Sequence, residues 1–286
     1  MNNAEHNNPV PFEPIRPKLV RLAYRMLGSV ADAEDVVQNA YIRWNAVDRT
    51  AIQYPDAYLR RIVTRLCLDE FRTRDRRREV YIGEWLPDPI VEEEPDEDIT
   101  VCLMLALERL SPLERAAFLL HDVFGVEFAE VATTIDRTPA AARQLASRAR
   151  ANVRKENRRF VIGKTRSEEI AVAFFEASRN GDMEALQAML GEDISLHADG
   201  GGQRSTIERP IFGREAVLQV QAKFADQFRK TRSVLLRVVN ISGLPGFVTC
   251  EADGEIQTTA LEIEGDQIKA IYVVRNPAKL RHLGMM

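Results

Sequence analysis

Cysteine and histidine are scarce in this 286-residue chain, and neither is clustered. The three cysteines lie far apart with no CxxC pair, and the four histidines show no metal-ligand spacing. These absences exclude a disulfide framework and a zinc finger, and they lead us to expect no metal and no cofactor. Cysteines without a pairing pattern fit a reducing compartment, so we expect a cytoplasmic protein.

Long apolar runs are also missing. No run of about eighteen apolar residues occurs, which excludes a membrane span, and the first residues are polar, unlike a signal peptide. The triple glycine at 200–202 lacks GxGxxG spacing and opens no predicted helix, so nothing indicates a nucleotide-binding loop. The composition, 45% hydrophobic and 29% charged, is that of a globular protein, and the length predicts two or three domains.

Charge is segregated along the chain, so the net charge of -4 is misleading. Residues 84–100 carry eight acidic and no basic side chains, whereas residues 1–83 and 101–160 each carry three more basic than acidic ones. Because prolines and like charges oppose packing, 84–100 is predicted to be an extended linker. The apolar Trp85 and Leu86 are unusual in such a segment.

Helical periodicity dominates the first 160 residues. Apolar residues at i, i+3, i+4 and i+7 begin at Leu19, Gly28 is expected to end that helix, and Asp32 is expected to cap the next one. Further along, a Ser-Pro-Leu-Glu capping box begins at Ser111. Two short helices follow with the spacing of a helix-turn-helix, and the second begins at Pro139.

The last of these helices has the composition of a DNA-reading helix. Arginine suits guanine, glutamine suits adenine, serine suits either base, and the small alanines at its start permit close approach to a groove. The candidate residues are Arg143, Gln144, Ser147 and Arg148. An arginine run from Arg72 to Arg78, with tyrosines upstream, is the combination that holds single-stranded bases. Either stretch alone is also compatible with a solvated basic helix.

From Ser167 the pattern changes to that of an α+β domain, with helices first and a curved antiparallel sheet after them. Strands are predicted at 194–198, 206–211, 234–241, 246–251, 255–264 and 268–274, with a helix at 214–228. The chain is therefore expected to be multidomain. The predicted parts are a helical domain at 1–83, a linker at 84–100, a helical domain with the helix-turn-helix at 101–160, and an α+β domain at 161–286.

Three segments resemble regions of the bacterial sigma-70 family. Segment 33–44 (AEDVVQNAYIRW) resembles the helix that binds core polymerase, 58–69 (YLRRIVTRLCLD) resembles the promoter -10 region, and 110–118 (LSPLERAAF), with the helix-turn-helix after it, resembles the region that reads the -35 element. Two helical domains without further regions are similar to the extracytoplasmic-function sigma factors. The resemblance covers about residues 12–155 and departs at Asn39, where the family usually carries an acid.

The resemblance implies both partners and contact residues. The partners are promoter DNA and core RNA polymerase, through the clamp helices of its largest subunit and through the subunit that contacts region 4. No membrane partner is expected, and an anti-sigma protein or a small ligand stays open. The implied polymerase contacts are Glu34, Asp35 and Gln38, whose acids suit a basic surface. The implied -10 contacts are Tyr54, Arg60, Arg61 and Arg65.

The C-terminal residues resemble a subgroup of these factors with a SnoaL-like domain, an α+β cone of the ketosteroid-isomerase type. Its motifs Trp-Leu-Pro-x-Pro, Asp-Gly-Gly-Gly and Asn-Pro-x-Lys-Leu stand here at 85–89, 199–202 and 276–280. Because Trp85 has a large apolar area and the prolines keep its segment extended, we predict that it docks against the other two motifs. The predicted contact residues are Trp85, Leu86, Pro87, Asp199, Gly200, Gly201, Gly202, Asn276, Pro277, Lys279 and Leu280.

The sequence thus predicts a transcription initiation factor, not an enzyme, which its C-terminal domain regulates within the same chain. Two alternatives remain open. A one-component helix-turn-helix regulator with a ligand-sensing cone would bind DNA unaided, usually as a dimer. An isomerase or hydrolase would use His197 and Asp199, which share one face of a predicted strand and would act from a cavity.

Overall fold

The computed structural model describes residues 12–78, 81–92, 100–156, 164–230 and 233–284. The chain divides into two compact units. The first comprises Met1–Glu79 and Leu103–Asn157, and the second comprises Val80–Cys102 and Arg158–Met286. The segment between the two helical regions therefore groups with the C-terminal domain, and from here on the linker means residues 80–102, which begin before the predicted 84–100. In the described ranges, no helix combines the length and the hydropathy that crossing a membrane requires.

The first half of the helical unit consists of α1 (Arg16–Leu27), α2 (Val30–Asn45) and α3 (Pro55–Arg78), with a 3₁₀ turn at Arg49–Ala51. Gly28 ends α1 in the left-handed region (φ 70°), as predicted, because glycine carries no Cβ penalty there. The predicted cap of α2 is wrong. Ser29 is the cap, and its hydroxyl accepts a hydrogen bond from the Asp32 amide at 3.3 Å, so Asp32 lies inside the first turn.

The second half consists of α4 (Val101–Glu108), α5 (Pro112–Phe118), a π-helical turn (Leu119–Val123), α6 (Phe128–Ile135) and α7 (Pro139–Glu156). The predicted capping box is present. Ser111 Oγ accepts a hydrogen bond from the Glu114 amide, and the Glu114 carboxylate accepts one from the Ser111 amide at 3.1 Å. Helices α6 and α7 form the helix-turn-helix, with Asp136 in the left-handed region (φ 55°) at its turn.

The α+β unit contains α8 (Lys164–Asn180), α9 (Met183–Met189) and α10 (Arg214–Lys230), and its sheet has the order β1-β4-β5-β6-β7-β2-β3. The strands are β1 (Val91–Glu92), β2 (Leu190–Asp199), β3 (Ile211–Phe212), β4 (Val234–Ile241), β5 (Leu244–Cys250), β6 (Ile256–Glu264) and β7 (Gln267–Val274). The prediction of an antiparallel sheet is wrong for one pair, because β2 and β7 pair in parallel, and the other pairs are antiparallel. A short helix, α11 (Pro277–Leu280), and a 3₁₀ turn (Arg281–Leu283) follow. The predicted fold class is confirmed.

Three strands differ from the sequence prediction, and one of them, β2, begins at Leu190, four residues before the predicted start. Of the predicted strand 206–211, only the last residue enters the sheet, as part of β3, because Pro210 has no N–H to donate to a ladder. The linker supplies the other difference. Its β1 pairs with β4, with Val91 opposite Ile241 and Glu92 opposite Asn240, and two residues are too few to show an alternating pattern.

Alternation along β2 decides which of its side chains meet the core. Leu196 and Ala198 are buried on the inner face, against the helices, whereas His197 and Asp199 point to the outer face. The linker packs on that outer face. One strand therefore carries core residues on one side and linker contacts on the other.

Candidate functional site

The carboxylate of Asp199 is the centre of the contacts between the linker and the C-terminal domain. Asp199 is fully buried at the end of β2. Its Oδ1 accepts hydrogen bonds from Tyr81 Oη at 2.5 Å and from the Gly201 amide at 3.0 Å, and its Oδ2 accepts one from the Leu86 amide at 2.9 Å. Lys279 Nζ lies 2.8 Å from Oδ2. These four donors compensate the desolvation of the buried charge.

Lys279 joins the linker backbone to the same carboxylate. Its ammonium also donates to the Leu86 carbonyl, and it lies 4.0 Å from the centroid of the Trp85 ring. The side chain is only 8% exposed, and desolvation strengthens the attraction of a cation to an aromatic face. Trp85 thus contacts the domain through its ring, and Leu86 through both of its backbone groups.

Asn276 orients Tyr81 for this contact. Asn276 Nδ2 donates to Tyr81 Oη at 2.9 Å, and its Oδ1 accepts the Ala278 amide and so caps α11. Burial, and secondarily the Asp199 carboxylate, raise the pKa of Tyr81 well above its usual range. The phenol therefore keeps its proton and remains a donor. We call Tyr81, Leu86, Asp199, Asn276 and Lys279 the linker clamp.

The glycines at 200–202 allow the motif to approach its neighbours closely. Gly201 has φ 59°, and a methyl group on it would lie 2.3 Å from Asn276 Nδ2. A methyl group on Gly200 would lie 2.4 Å from the Arg204 carbonyl oxygen. Larger residues would thus force this loop away from Asn276. Gly202 faces Ile82. The Leu86 amide and Lys279 both contact the Asp199 carboxylate, so the structure brings all three motifs together.

The linker remains in contact with the domain beyond the clamp. The Ser242 amide donates to the Ile90 carbonyl at 2.6 Å, and the Ile90 amide donates to Ser242 Oγ at 3.0 Å. His282 Nε2 lies 2.7 Å from the Pro89 carbonyl oxygen. Pro87 and Leu280 are buried, and Pro277 is the first residue of α11. Sequence reasoning missed four of the contacting residues, Tyr81, Glu84, Ser242 and His282, because no local pattern marks a partner so distant along the chain.

His197 and Asp199 share one face of β2, but that face does not line the cavity of the domain. The cavity is lined by Leu196 and Ala198, which point the opposite way. His197 Nδ1 instead lies 2.7 Å from Glu84 Oε1 of the linker. The idea that the pair acts from a cavity is therefore wrong. Within the described residues, no group of three or more His, Cys, Asp or Glu side chains is placed to hold a metal ion.

Two of the candidate -10 residues are engaged by the helix-turn-helix. Arg60 Nη2 lies 3.0 Å from Glu130 Oε1 on α6, and Arg65 donates to the carbonyl oxygens of Thr133 and Thr134 at 3.1 and 3.2 Å. In this arrangement the guanidinium groups of Arg60 and Arg65, which the sequence predicts to contact DNA, contact α6 instead.

Of the other two candidates, Tyr54 is exposed just before α3, and Arg61 is partly exposed on α3. Tyr54 is 67% exposed, and the Arg61 guanidinium lies 5.7 Å from the centroid of the Tyr58 ring. Arg72 is exposed and paired with Asp69 at 3.0 Å. The side chains from position 74 to 78 of the predicted arginine run lie outside the described residues.

The four candidate -35 residues lie together on the exposed face of α7, at i, i+1, i+4 and i+5. They are Arg143, Gln144, Ser147 and Arg148. The opposite face consists of Ala142, Ala146 and Ala149, which are fully buried in the helical unit. The expectation that the early alanines approach a groove is thus wrong for Ala142, because that alanine is needed for packing α7 against α5.

The candidate polymerase contacts form an exposed polar face on α2. Glu34, Asp35 and Gln38 are all exposed, while Val36 and Val37 are buried beneath them. Glu34 lies 3.9 Å from Arg16, and both side chains are about half exposed, so this pair leaves the face accessible.

Comparison with known proteins places both helical regions in one family. The Sigma-70 region 2 family matches residues 12–77, and the Sigma-70, region 4 family matches residues 100–153. The ECF RNA polymerase sigma factor SigJ of Mycobacterium tuberculosis is 36% identical, over 94% of this chain and 91% of that protein. Probable ECF RNA polymerase sigma factor SigI of the same organism is 33% identical, over 64% of this chain and 67% of that protein. The crystal structure of M. tuberculosis SigJ matches with a TM-score of 0.75 and 31% identity, over 94% of this chain and 97% of that chain.

The fold and these matches define a promoter-binding initiation factor with two helical regions. The chain belongs to the extracytoplasmic-function sigma factors, with a mixed α+β domain fused at its C-terminus. As a sigma factor it binds core RNA polymerase and promoter DNA and initiates transcription. Family membership favours this function over the one-component regulator.

Replacing Arg148 with Ala is expected to lower promoter occupancy by the holoenzyme about tenfold, because a good arginine contact to a base contributes roughly 1–3 kcal/mol. The measurement is a gel-shift titration of the promoter with holoenzyme. Arg209→Ala is the matched control, since it removes an exposed arginine from the C-terminal domain. If both variants lost the same promoter occupancy, the loss would come from the change in net charge, and the assignment of Arg148 to the -35 element would be wrong.

Proposed function

We propose that the C-terminal domain regulates this sigma factor within the same chain by holding the linker. The observation that carries the proposal is the burial of the Asp199 carboxylate by donors from Tyr81 and Leu86 on the linker and from Lys279 on the domain. A fully buried charge requires these partners, so release of the linker is costly and the held state is favoured.

Holding the linker shortens the connection between the two DNA-reading regions. The twelve residues from 81 to 92 are in contact with the domain. Fully extended, they would contribute roughly 40 Å to the reach of the chain, at about 3.3–3.6 Å per residue. The regions that read the -10 and -35 elements must lie a fixed distance apart on a promoter. A held linker therefore favours a compact form that cannot span the distance between the two elements.

The contacts of α3 with α6 support the same compact form. Arg60 and Arg65 can contact a promoter strand only after Glu130 and the α6 carbonyls release them. Core polymerase binds the open form more tightly and shifts the population towards it, by as much as its difference in affinity for the two forms.

The roles of individual residues follow from the exposed faces. Glu34, Asp35 and Gln38 dock on the clamp helices of the largest polymerase subunit. Tyr54, Arg60, Arg61 and Arg65 hold the -10 element, and Arg143, Gln144, Ser147 and Arg148 read the -35 element. The protein acts in the cytoplasm, where core polymerase is, and it performs no catalysis of its own. Its functional parts are the first helical domain at 1–83, the linker segment at 84–100, the helix-turn-helix domain at 101–160 and the α+β domain at 161–286. The α+β domain holds the linker segment.

Replacing Lys279 with Met is expected to raise the yield of run-off transcript at limiting core polymerase several-fold. The change removes the cation that joins Asp199 to the Leu86 carbonyl, and each loss of about 1.4 kcal/mol in the held state shifts the equilibrium tenfold. The measurement is run-off transcription from the promoter of the protein's own gene, with purified core polymerase and full-length protein.

Lys269→Met is the matched control, because Lys269 lies on β7 of the same domain and pairs with the exposed Asp193 at 2.7 Å. An unchanged yield with Lys279→Met would show that the clamp does not regulate initiation. A lower yield would show that the clamp promotes initiation instead of inhibiting it. If the unchanged protein and the Lys279→Met variant both bound DNA without core polymerase and gave no transcript, the initiation mechanism itself would be wrong.

A further inference from the structure

The loop after β2 belongs to two parts of the α+β domain at once. Its first half carries the three glycines, and the Gly201 amide donates to the Asp199 carboxylate at 3.0 Å. Its second half contains Thr206 and Ile207, which line the cavity on the inner face of the sheet. We call residues 200–207 the glycine loop. It connects the outer face of the sheet, where the linker packs, with the inner face.

Close contacts between its two halves make the glycine loop compact. Where the loop begins, the Asp199 carbonyl accepts a hydrogen bond from the Asn276 amide at 3.1 Å. The Gly200 carbonyl accepts one from the Arg204 amide at 3.1 Å, and a methyl group on Gly200 would lie 2.8 Å from Thr206 Cγ2. Because closely packed groups transmit a displacement to their neighbours, a shift at Arg204 is expected to reach Asp199.

A pair of ionic contacts ties the glycine loop to the turn between β5 and β6. Arg204 Nη2 lies 2.7 Å from Glu255 Oε1, and Arg204 Nη1 donates to the Asp253 carboxylate. A guanidinium that contacts two carboxylates is fixed in orientation as well as in position. We call residues 251–255 the rim turn, because Ala252 and Asp253 line the cavity. Arg204 thus joins the glycine loop to the rim turn.

Arg275 gives the glycine loop a second fixed point. Its amide donates to the Asp199 carbonyl at 2.8 Å, and its Nη1 donates to the Ser205 carbonyl at 2.6 Å. This residue directly follows β7, so the loop is fixed to the end of that strand at both of its halves. The position of the loop relative to the rim turn is then set by Arg204.

We propose that Arg204 is a positioning residue of the linker clamp, which it controls by holding the glycine loop against the rim turn. Without this contact the loop is free to move away from the rim turn, and the Gly201 amide and the Asp199 carboxylate move with it. The inference rests on the proposed function and deepens it, because it makes the rim turn a second element that controls release of the linker.

Hydrogen exchange of the full-length protein with Arg204→Met tests the proposal. Amide protection of peptides from residues 81–92 is expected to fall about three- to tenfold, because partly exposed ion pairs each contribute modestly. Protection of peptides from α8 in the same domain is expected to stay unchanged, which separates positioning from a general loss of stability. Arg204→Lys keeps the charge but not the fork, so its linker protection is expected to lie between those of the wild type and Arg204→Met.

Arg166→Met is the matched control. Arg166 also contacts two exposed carboxylates of this domain, Asp266 at 2.9 Å and Glu169 at 3.1 Å, but it lies on α8 and outside the glycine loop. Linker protection is expected to stay at the wild-type level in this variant. An equal fall in Arg166→Met and Arg204→Met would reduce the effect to the loss of any surface ion pair and overturn the proposal.

Two further variants test the direction of the coupling. Asp253→Asn combined with Glu255→Gln removes the same contact from the side of the rim turn and is expected to lower linker protection as Arg204→Met does. Arg204→Met added to Asp199→Asn is expected to cause no further fall, because the linker is already released. Unchanged protection in Arg204→Met, an effect from only one side of the contact, or an additive fall would overturn the proposal. Failure of the proposed function appears separately, as an unchanged transcript yield with Lys279→Met.

Discussion

Replacing Asp199 with Asn is expected to release residues 81–92 from the C-terminal domain and to lower the stability of the held state by about 3–5 kcal/mol, the usual cost of removing one partner of a buried ion pair. All four groups at the carboxylate are donors: Tyr81 Oη and the Gly201 amide at Oδ1, the Leu86 amide and Lys279 Nζ at Oδ2. Asparagine has one oxygen and one NH₂ group. In either orientation the NH₂ therefore faces a backbone N–H.

Hydrogen exchange of the full-length protein measures this release. Amide protection of peptides from residues 81–92 is expected to fall about a hundredfold or more, since each 1.4 kcal/mol corresponds to roughly tenfold. Asp193→Asn is the control. Asp193 lies on the same strand, its side chain is 77% exposed, and an exposed ion pair contributes little.

A double variant distinguishes a buried-charge effect from general damage. Asp199→Asn combined with Lys279→Met removes both charges, so it is expected to cost less than the sum of the two single changes. Additive losses would show that the two charges do not interact. Unchanged protection in Asp199→Asn would show that the linker is held without the carboxylate.

Replacing Arg115 with Met is expected to destabilise the helical unit by about 3–5 kcal/mol, because it removes a buried guanidinium that donates to one carboxylate and to two backbone carbonyls of neighbouring helices. Arg115 is 1% exposed. Its guanidinium donates to the Leu107 carbonyl at 2.8 Å, to the Met26 carbonyl at 2.5 Å and to Glu108 Oε1 at 2.7 Å. It also lies 5.4 Å from the centroid of the Phe71 ring. One side chain thus joins α5 to α1, α3 and α4.

Denaturant unfolding followed by circular dichroism measures the loss. The midpoint of the helical transition is expected to fall for Arg115→Met and to stay near wild type for Arg109→Met, since Arg109 is exposed next to the same helix. Glu108→Leu added to Arg115→Met is expected to recover part of the loss, because it removes the carboxylate that pairs with Arg115. A midpoint unchanged by Arg115→Met would contradict the joining role of this residue.

Local patterns account for what could be predicted of the helical unit. Gly28 ends α1 and Ser111 caps α5 where the sequence predicts, because these signals act within one helical turn. The exposed faces of α2 and α7 follow from a periodicity that also identifies the buried positions. The cap of α2 is Ser29 and not Asp32, because Ser29 offers a hydroxyl at the position just before the helix.

Contacts between distant segments could not be predicted in the same way. The sequence predicts that Arg60 and Arg65 are exposed, and Arg65 is exposed whereas Arg60 is partly buried. Only the packing of α6 on α3 shows that both guanidinium groups contact α6. The pair β1 and β4 joins residues about 150 positions apart in the chain, and nothing local specifies that register. Spacing placed His197 and Asp199 on one face correctly, but it did not show which face lines the cavity.

The sequence by itself determined the family, the order of helical and α+β regions, and the three motifs that meet at the linker, because short-range periodicity, caps and motif composition carry that information. The tertiary structure alone decided what the motifs do to each other. It places the Asp199 carboxylate between Tyr81 and Lys279, and it pairs two arginines of α3 with α6. Each of these depends on the burial of a charge or a polar group, and burial is a property of the packed chain.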